Sequence, residues 1–167
     1  MNKIFFIFFV FILSGLSSAF ALDYDFQSTY SIPIKMSIVD EISTKNGVLE
    51  GEVVNFKIIE DVYNNNELIA KSGDLVQARV STVMTSGMNG FPAEIYVEDF
   101  KIKGISPSQL QDTYIKAGRN RCFWVYPLKW ALTPIPGVGS LTNLIKGGHS
   151  KIRTKDVVTI NYYPEWK

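Results

Sequence analysis

The chain has 167 residues, with 17 lysines and arginines against 16 aspartates and glutamates, and a single histidine and a single cysteine. Near-neutrality argues against nucleic acid as a partner, since that binding rests on clustered Lys and Arg neutralising phosphates; one cysteine excludes an internal disulfide, and one His with one Cys excludes a histidine-rich metal centre. The length fits one domain whose core holds by packing alone.

The first residues, MNKIFFIFFVFILSGLSSAFA, place one basic residue, Lys3, before an apolar run from Ile4 to Leu13 and then small residues ending in Ala19-Phe20-Ala21. This is the layout of a secretory signal peptide over residues 1–21, with cleavage expected after Ala21. A run of about 10 apolar residues is too short for the roughly 20 that span a bilayer. The expected location is therefore exported, periplasmic or extracellular, in a bacterial cell envelope, and residues 22–167 are expected to form a single β domain.

Tyr30, Ile32, Ile34, Met36 and Ile38 occupy alternate positions, the period of a strand with one buried face. Pro33 has no amide to donate, so the strand should be an edge or Pro33 should lie at its end. Asn46-Gly47 predicts a hairpin-type turn. The following VLEGEVVNFKII predicts burial of Val54, Phe56 and Ile58 opposite Asn55 and Lys57, with a bulge or bend at Gly51. A short LIA strand between polar turns precedes another alternating run, with Val76, Ala78, Val80, Thr82 and Met84 on one side. AEIYVEDFKI then sets Ile95 and Val97 against Glu94, Tyr96 and Glu98, and a short strand is expected near Thr113 to Lys116. The last run, KIRTKDVVTINYY, is half apolar on both faces and reads as a central or closing strand. Strands separated by turn chemistry about every dozen residues predict an all-β, mainly antiparallel fold: a small β-barrel or β-sandwich with one short helix and an aromatic-rich connection.

TPIPGVGSLTNLIKGGHSKI, residues 133–152, is the stretch that most resembles chemistry. Gly137-Val138-Gly139 is a fragment of a dinucleotide fingerprint, but Thr142 stands at the third glycine position and no βαβ pattern surrounds it. Gly147-Gly148-His149-Ser150 misses the P-loop spacing. The stretch reads instead as a turn and a short helix SLTNLI, capped by Ser140 and ended by Gly147. Cys122 and His149 could pair as nucleophile and base, yet neither has a supporting motif, and a small buried thiol and an exposed loop histidine account for them. Glu94 and Glu98 lie about 13 Å apart along a strand at 3.3 Å per residue, beyond either glycosidase separation. A solvated sheet face explains them, together with Asp99, Glu60 and Asp61. Asp61, Asn64, Asn65, Asn66 and Glu67 offer oxygens to calcium without the twelve-residue loop pattern. No catalytic, cofactor-binding or metal-ligating residue is assigned, and no cofactor is expected.

CFWVYPLKWALTPI is the most informative mature segment, carrying Phe123, Trp124, Tyr126 and Trp130 with Lys129 its one charge. These aromatics either plug one end of a small barrel or cover the open edge of a sandwich, or they present a contact for a protein or a membrane interface, where Trp and Tyr rings are favoured.

The stretch GEVVNFKIIEDVYNNNELIAKSGDLVQARV resembles the extracytoplasmic β-barrel domains of conjugation and type IV secretion channel proteins (TrbI-like), at Val62, Tyr63, Leu68, Ile69, Lys71 and Gly73 with Ser72 inserted. That resemblance implies a barrel fold and nothing about functional residues. The expected function is that of an exported, non-enzymatic cell-envelope protein whose β domain binds an envelope protein or the membrane surface through Phe123, Trp124, Tyr126 and Trp130. The alternatives are a lipid or glycan carrier with its ligand inside the barrel, and a hydrolase with dispersed carboxylates.

Overall fold

The computed structural model describes residues 30–164 other than 112, 136 and 137; the signal peptide expected over residues 1–21 lies outside them. Six strands, β1 (Ile32–Ile38), β3 (Val53–Ile58), β6 (Leu75–Met84), β7 (Glu94–Lys101), β8 (Thr113–Ala117) and β10 (Val158–Tyr162), form one antiparallel sheet in the order β10-β1-β3-β6-β7-β8. The sheet curls until its edges meet. Leu110, just before β8, bridges Tyr162 of β10, the Gln111 amide donates to the Asn161 carbonyl at 2.8 Å, and the Tyr163 amide to that of Gln109 at 2.7 Å. The result is a nearly closed small barrel, so the expected all-β fold holds and the barrel is the form it takes. Two short ribbons, β2 (Ile42–Ser43) with β9 (Lys151–Ile152) and β4 (Val62–Asn64) with β5 (Glu67–Ala70), flank it.

Strand alternation builds the core. Ile34, Met36 and Ile38 of β1, Val54, Phe56 and Ile58 of β3, Ile95 and Val97 of β7, and Val158 and Ile160 of β10 all turn inward. Pro33 is the second residue of β1, where only β10 reaches it, because β1 pairs with β3 from Met36 onward. Two irregularities break the simple period. In β6 the register against β7 shifts between Val80 and Thr82, so Thr82 and Met84 turn outward and Val83 packs on the core, contrary to the uninterrupted alternation expected. In β7 Asp99 takes a left-handed φ of 56°, a bulge that returns Phe100 to the interior.

The turns follow local chemistry. Asn65 and Asn66, at φ 50° and 69°, close the β4–β5 hairpin, a conformation that Asn tolerates. Gly47 does form a turn, with φ 77°, but β2 pairs with β9, so the expected Asn46-Gly47 hairpin is not one. Gly51 bends the chain ahead of β3 and donates its amide to the Val80 carbonyl at 2.7 Å.

The turns into β6 and β10 share one design. The Lys71 amide donates to Asp74 Oδ2 and the Asp74 amide to the Lys71 carbonyl; Arg153 and Asp156 repeat both bonds. Asp156 also pairs with Lys116 of β8 at 3.2 Å. Burial pushes the Asp156 carboxyl up, but the Lys116 hydrogen bond, the Arg153 amide and the charges of both residues outweigh it and hold the group below its ordinary value. The unfolded chain therefore takes up this proton first on acidification. The stabilisation is present above about pH 4 and is lost as pH falls through the lowered folded value. Asp156→Asn should consequently lower the thermal midpoint near pH 6 and leave a smaller deficit near about pH 3; a deficit that stays constant across that range would refute the linkage.

Candidate functional site: an exposed aromatic lobe

The segment expected as an aromatic-rich connection is an α-helix, α1 (Cys122–Leu132). Asn120 Oδ1 accepts the Cys122 amide at 2.8 Å and starts it. Pro127 inside the helix has no amide for the Phe123 carbonyl, a loss that interior prolines impose. At the far end Thr133 Oγ1 donates to the Lys129 carbonyl at 2.8 Å. The chain continues into α2 (Val138–Leu141) and a 3-10 turn, Thr142–Leu144. The helix expected at SLTNLI thus begins before Ser140, which lies inside α2, and ends well before Gly147. Lys129 Nζ donates to Asn143 Oδ1 at 2.9 Å and ties the turn to α1. With the 3-10 turn Met88–Gly90, these pieces form a lobe beside the barrel.

Backbone holds the lobe in place. The Arg121 amide donates to the Gly90 carbonyl, the Gly90 amide to that of Ile145, the Gly147 amide to that of Gly87, and the Gly148 amide to that of Arg119. Three loops cross here so closely that glycine is required: a Cβ on Gly147 would overlap the Phe91 carbonyl, and one on Gly118 would overlap Gly148 and His149. Gly147 is therefore a close-approach residue, not the helix cap expected of it.

What the lobe presents is apolar. Phe123 and Trp130 are 75% and 76% exposed, and Trp124, Tyr126 and Leu128 are also open to solvent. Val125 is the one buried residue of α1, and it stands apart from the barrel's core cluster. The aromatics therefore do not plug the barrel. Ile135, Leu141, Leu144, Phe91 and Met88 extend the exposed surface.

The other candidate residues are engaged structurally or stand apart. Cys122 is half-buried at the start of α1, not fully buried as expected, and His149 is exposed. Gly137 of the glycine fragment lies outside the described residues, and Gly139 sits within α2. Ser150, fully buried, donates its hydroxyl to the Lys116 carbonyl at 2.6 Å, and its carbonyl accepts from Ser43 Oγ. Glu94 accepts from the Tyr96 hydroxyl at 2.8 Å, which together with burial raises the Tyr96 pKa. Glu98 accepts from Thr113 Oγ1. Glu98 and Asp99 border a rim hollow of about 210 Å³ with Phe100, Pro107, Leu110 and Gln111. Asp61 accepts from the Ser72 amide at 2.7 Å. Among the described residues no group of three or more His, Cys, Asp or Glu is placed to hold a metal ion.

No protein-family model matches the chain, and no characterised protein matches its sequence. The geometry alone brings Phe123, Trp124, Tyr126 and Trp130 together on one lobe. It adds Arg119, Arg121 and Lys146 beside them, with Arg121 Nη1 donating to the Lys146 carbonyl at 3.3 Å. The sequence signal for these three was a charge count by segment rather than over the whole chain.

Proposed function

We propose that this protein is an exported, non-enzymatic β domain of the bacterial cell envelope that works by docking through the α1 lobe, its partner an envelope protein or the membrane surface. The observation that carries this reading is the exposure of α1. Large side chains such as Phe123 and Trp130 lie in water, where covering each fully would gain about 1.5–3 kcal/mol. Contiguous apolar surface of this kind marks interaction sites. A ligand carried inside the barrel has less support, because the fully buried side chains of Ile34, Met36, Phe56 and Ile160 occupy the space between the strands. Three hollows lined by described residues, of about 210, 50 and 120 Å³, are each smaller than the roughly 300 Å³ at which small-molecule pockets begin.

The test is sedimentation of the purified domain with isolated envelope membranes. Trp124→Ala/Trp130→Ala should weaken association at least about tenfold while leaving circular dichroism and thermal midpoint nearly unchanged, since exposed positions contribute little to stability. A folded double variant that sediments as the parent does would overturn the docking reading.

A further inference from the structure

We propose that the lobe inserts shallowly into the interface of an anionic phospholipid bilayer; this rests on the docking reading and names its partner. At 100° per residue, Tyr126, Trp130, Phe123, Pro127, Ala131, Trp124 and Leu128 cover an arc of roughly 200° around α1 with no charge in it. The opposite side carries Val125, Leu132 and Lys129, turned toward the rest of the lobe. A helix seated in a protein groove offers one stripe, about half that width. An arc this wide fits a medium that closes round the helix, as acyl chains and headgroups do.

Length sets the depth. The eleven residues of α1 make a rod of about 16 Å at 1.5 Å per residue, half of the roughly 30 Å hydrocarbon layer. No helix among the described residues is long and apolar enough to cross a membrane. Trp and Tyr rings at the rim of such a helix suit the headgroup boundary. Aliphatic Leu128, Leu141 and Leu144, also exposed, suit acyl chains and have no use on a nucleic acid.

Charge supplies the sign. Residues 113–155 contain eight lysines and arginines and no aspartate or glutamate, whereas residues 22–112 contain fourteen acidic residues against seven basic ones. Lys116 and Lys151 pair with Asp156 and Glu41. Arg119, Arg121, Lys129 and Lys146 have no carboxylate within ion-pair distance among the described residues. Arg119 and Arg121 enter α1 and Lys146 leaves the lobe, so cations flank the apolar arc where lipid phosphates would meet it. The excess of acid elsewhere turns the rest of the barrel away from the same surface.

The test uses the chain from Leu22 to Lys167, which holds every core residue among the described residues and omits the expected signal peptide, with protein-free vesicles of phosphatidylcholine alone or mixed with phosphatidylglycerol. Sedimentation with the mixed vesicles is expected, with a blue shift of tryptophan emission that Trp124→Phe/Trp130→Phe diminishes. Phe123→Ala/Trp130→Ala should weaken binding by roughly a hundredfold. Arg119→Gln/Lys146→Gln should weaken it about twenty-fivefold at low salt, a factor of about five per cation. Equal binding to neutral and mixed vesicles would overturn the proposal. So would failure to bind either vesicle by a domain that still sediments with envelope membranes, an outcome that points to a protein partner and leaves the docking reading standing. Failure to bind vesicles and envelopes alike sinks both.

Discussion

Phe56→Ala is expected to lower global stability by about 3–5 kcal/mol, the range for removing a buried aromatic from a core that collapses only in part. Phe56 is fully buried, pairs with Val76 of β6 on one side and Ile38 of β1 on the other, and sets its ring 6.1 Å from that of Phe100. It thus joins the two strands that flank β3 to Phe100, the residue that the Asp99 bulge returns inward. Since domains of this size are stable by about 5–15 kcal/mol in all, the loss should be visible as a large fall in denaturation midpoint. Val53→Ala, at an exposed position of the same strand, is the control and should shift stability by less than about 0.5 kcal/mol. A Phe56→Ala cost under about 1 kcal/mol would mean that this residue is not the centre of the core.

Gly147→Ala should cost about 2–3 kcal/mol or more, and the damage should begin locally. The new methyl group would overlap the backbone of Phe91 and Pro92, and backbone has no rotamer by which to give way. One of the three crossing loops must move, and the bonds joining Gly90 to Ile145 and Gly148 to Arg119 are the first at risk. Hydrogen exchange at the Gly90, Arg121 and Gly148 amides should accelerate before exchange in β1 or β3 does. Gly139→Ala makes the contrast: its added carbon meets neighbours no closer than 3.4 Å within α2, so it should be neutral or slightly stabilising by helix propensity. If both substitutions behave alike, close approach is not the reason for glycine at 147.

Much of the barrel was legible in the sequence because a strand with one wet face prints its burial as alternation. Ile34-Met36-Ile38, Val54-Phe56-Ile58 and Ile95-Val97 each lie in such a strand. Alternation fails where pairing partners shift: nothing in Val80-Ser81-Thr82-Val83-Met84 announces that the inward phase changes, because the shift is made against β7. Helix α1 was hidden for a different reason. A helix that is apolar around most of its circumference has no 3.6-residue contrast, and Pro127 argues against one on local grounds. The aromatics of the site could be picked out by composition, while their exposure could not. Gly118, Gly147 and Gly148 look like turn residues in sequence; their reason lies in loops distant along the chain. The two turns built on Asp74 and Asp156 rest on local bonds, so IAKSGDLV and IRTKDVV carry the same pattern in their residues.

The pairing of β1 with β10 bears on how the protein comes to fold. Ile32 sits against Tyr162, and Met36 against Val158, so the first strand of the barrel finds one of its two neighbours only when residue 162 is present. Contacts this distant in sequence slow folding, because the closure entropy of the whole intervening chain falls due before they form. Until then the apolar face of Ile34, Met36 and Ile38 has no β10 beside it. A polypeptide emerging in order from Ile32 would therefore hold an open sheet, with one side of β1 unpaired, until Val158 to Tyr162 had followed.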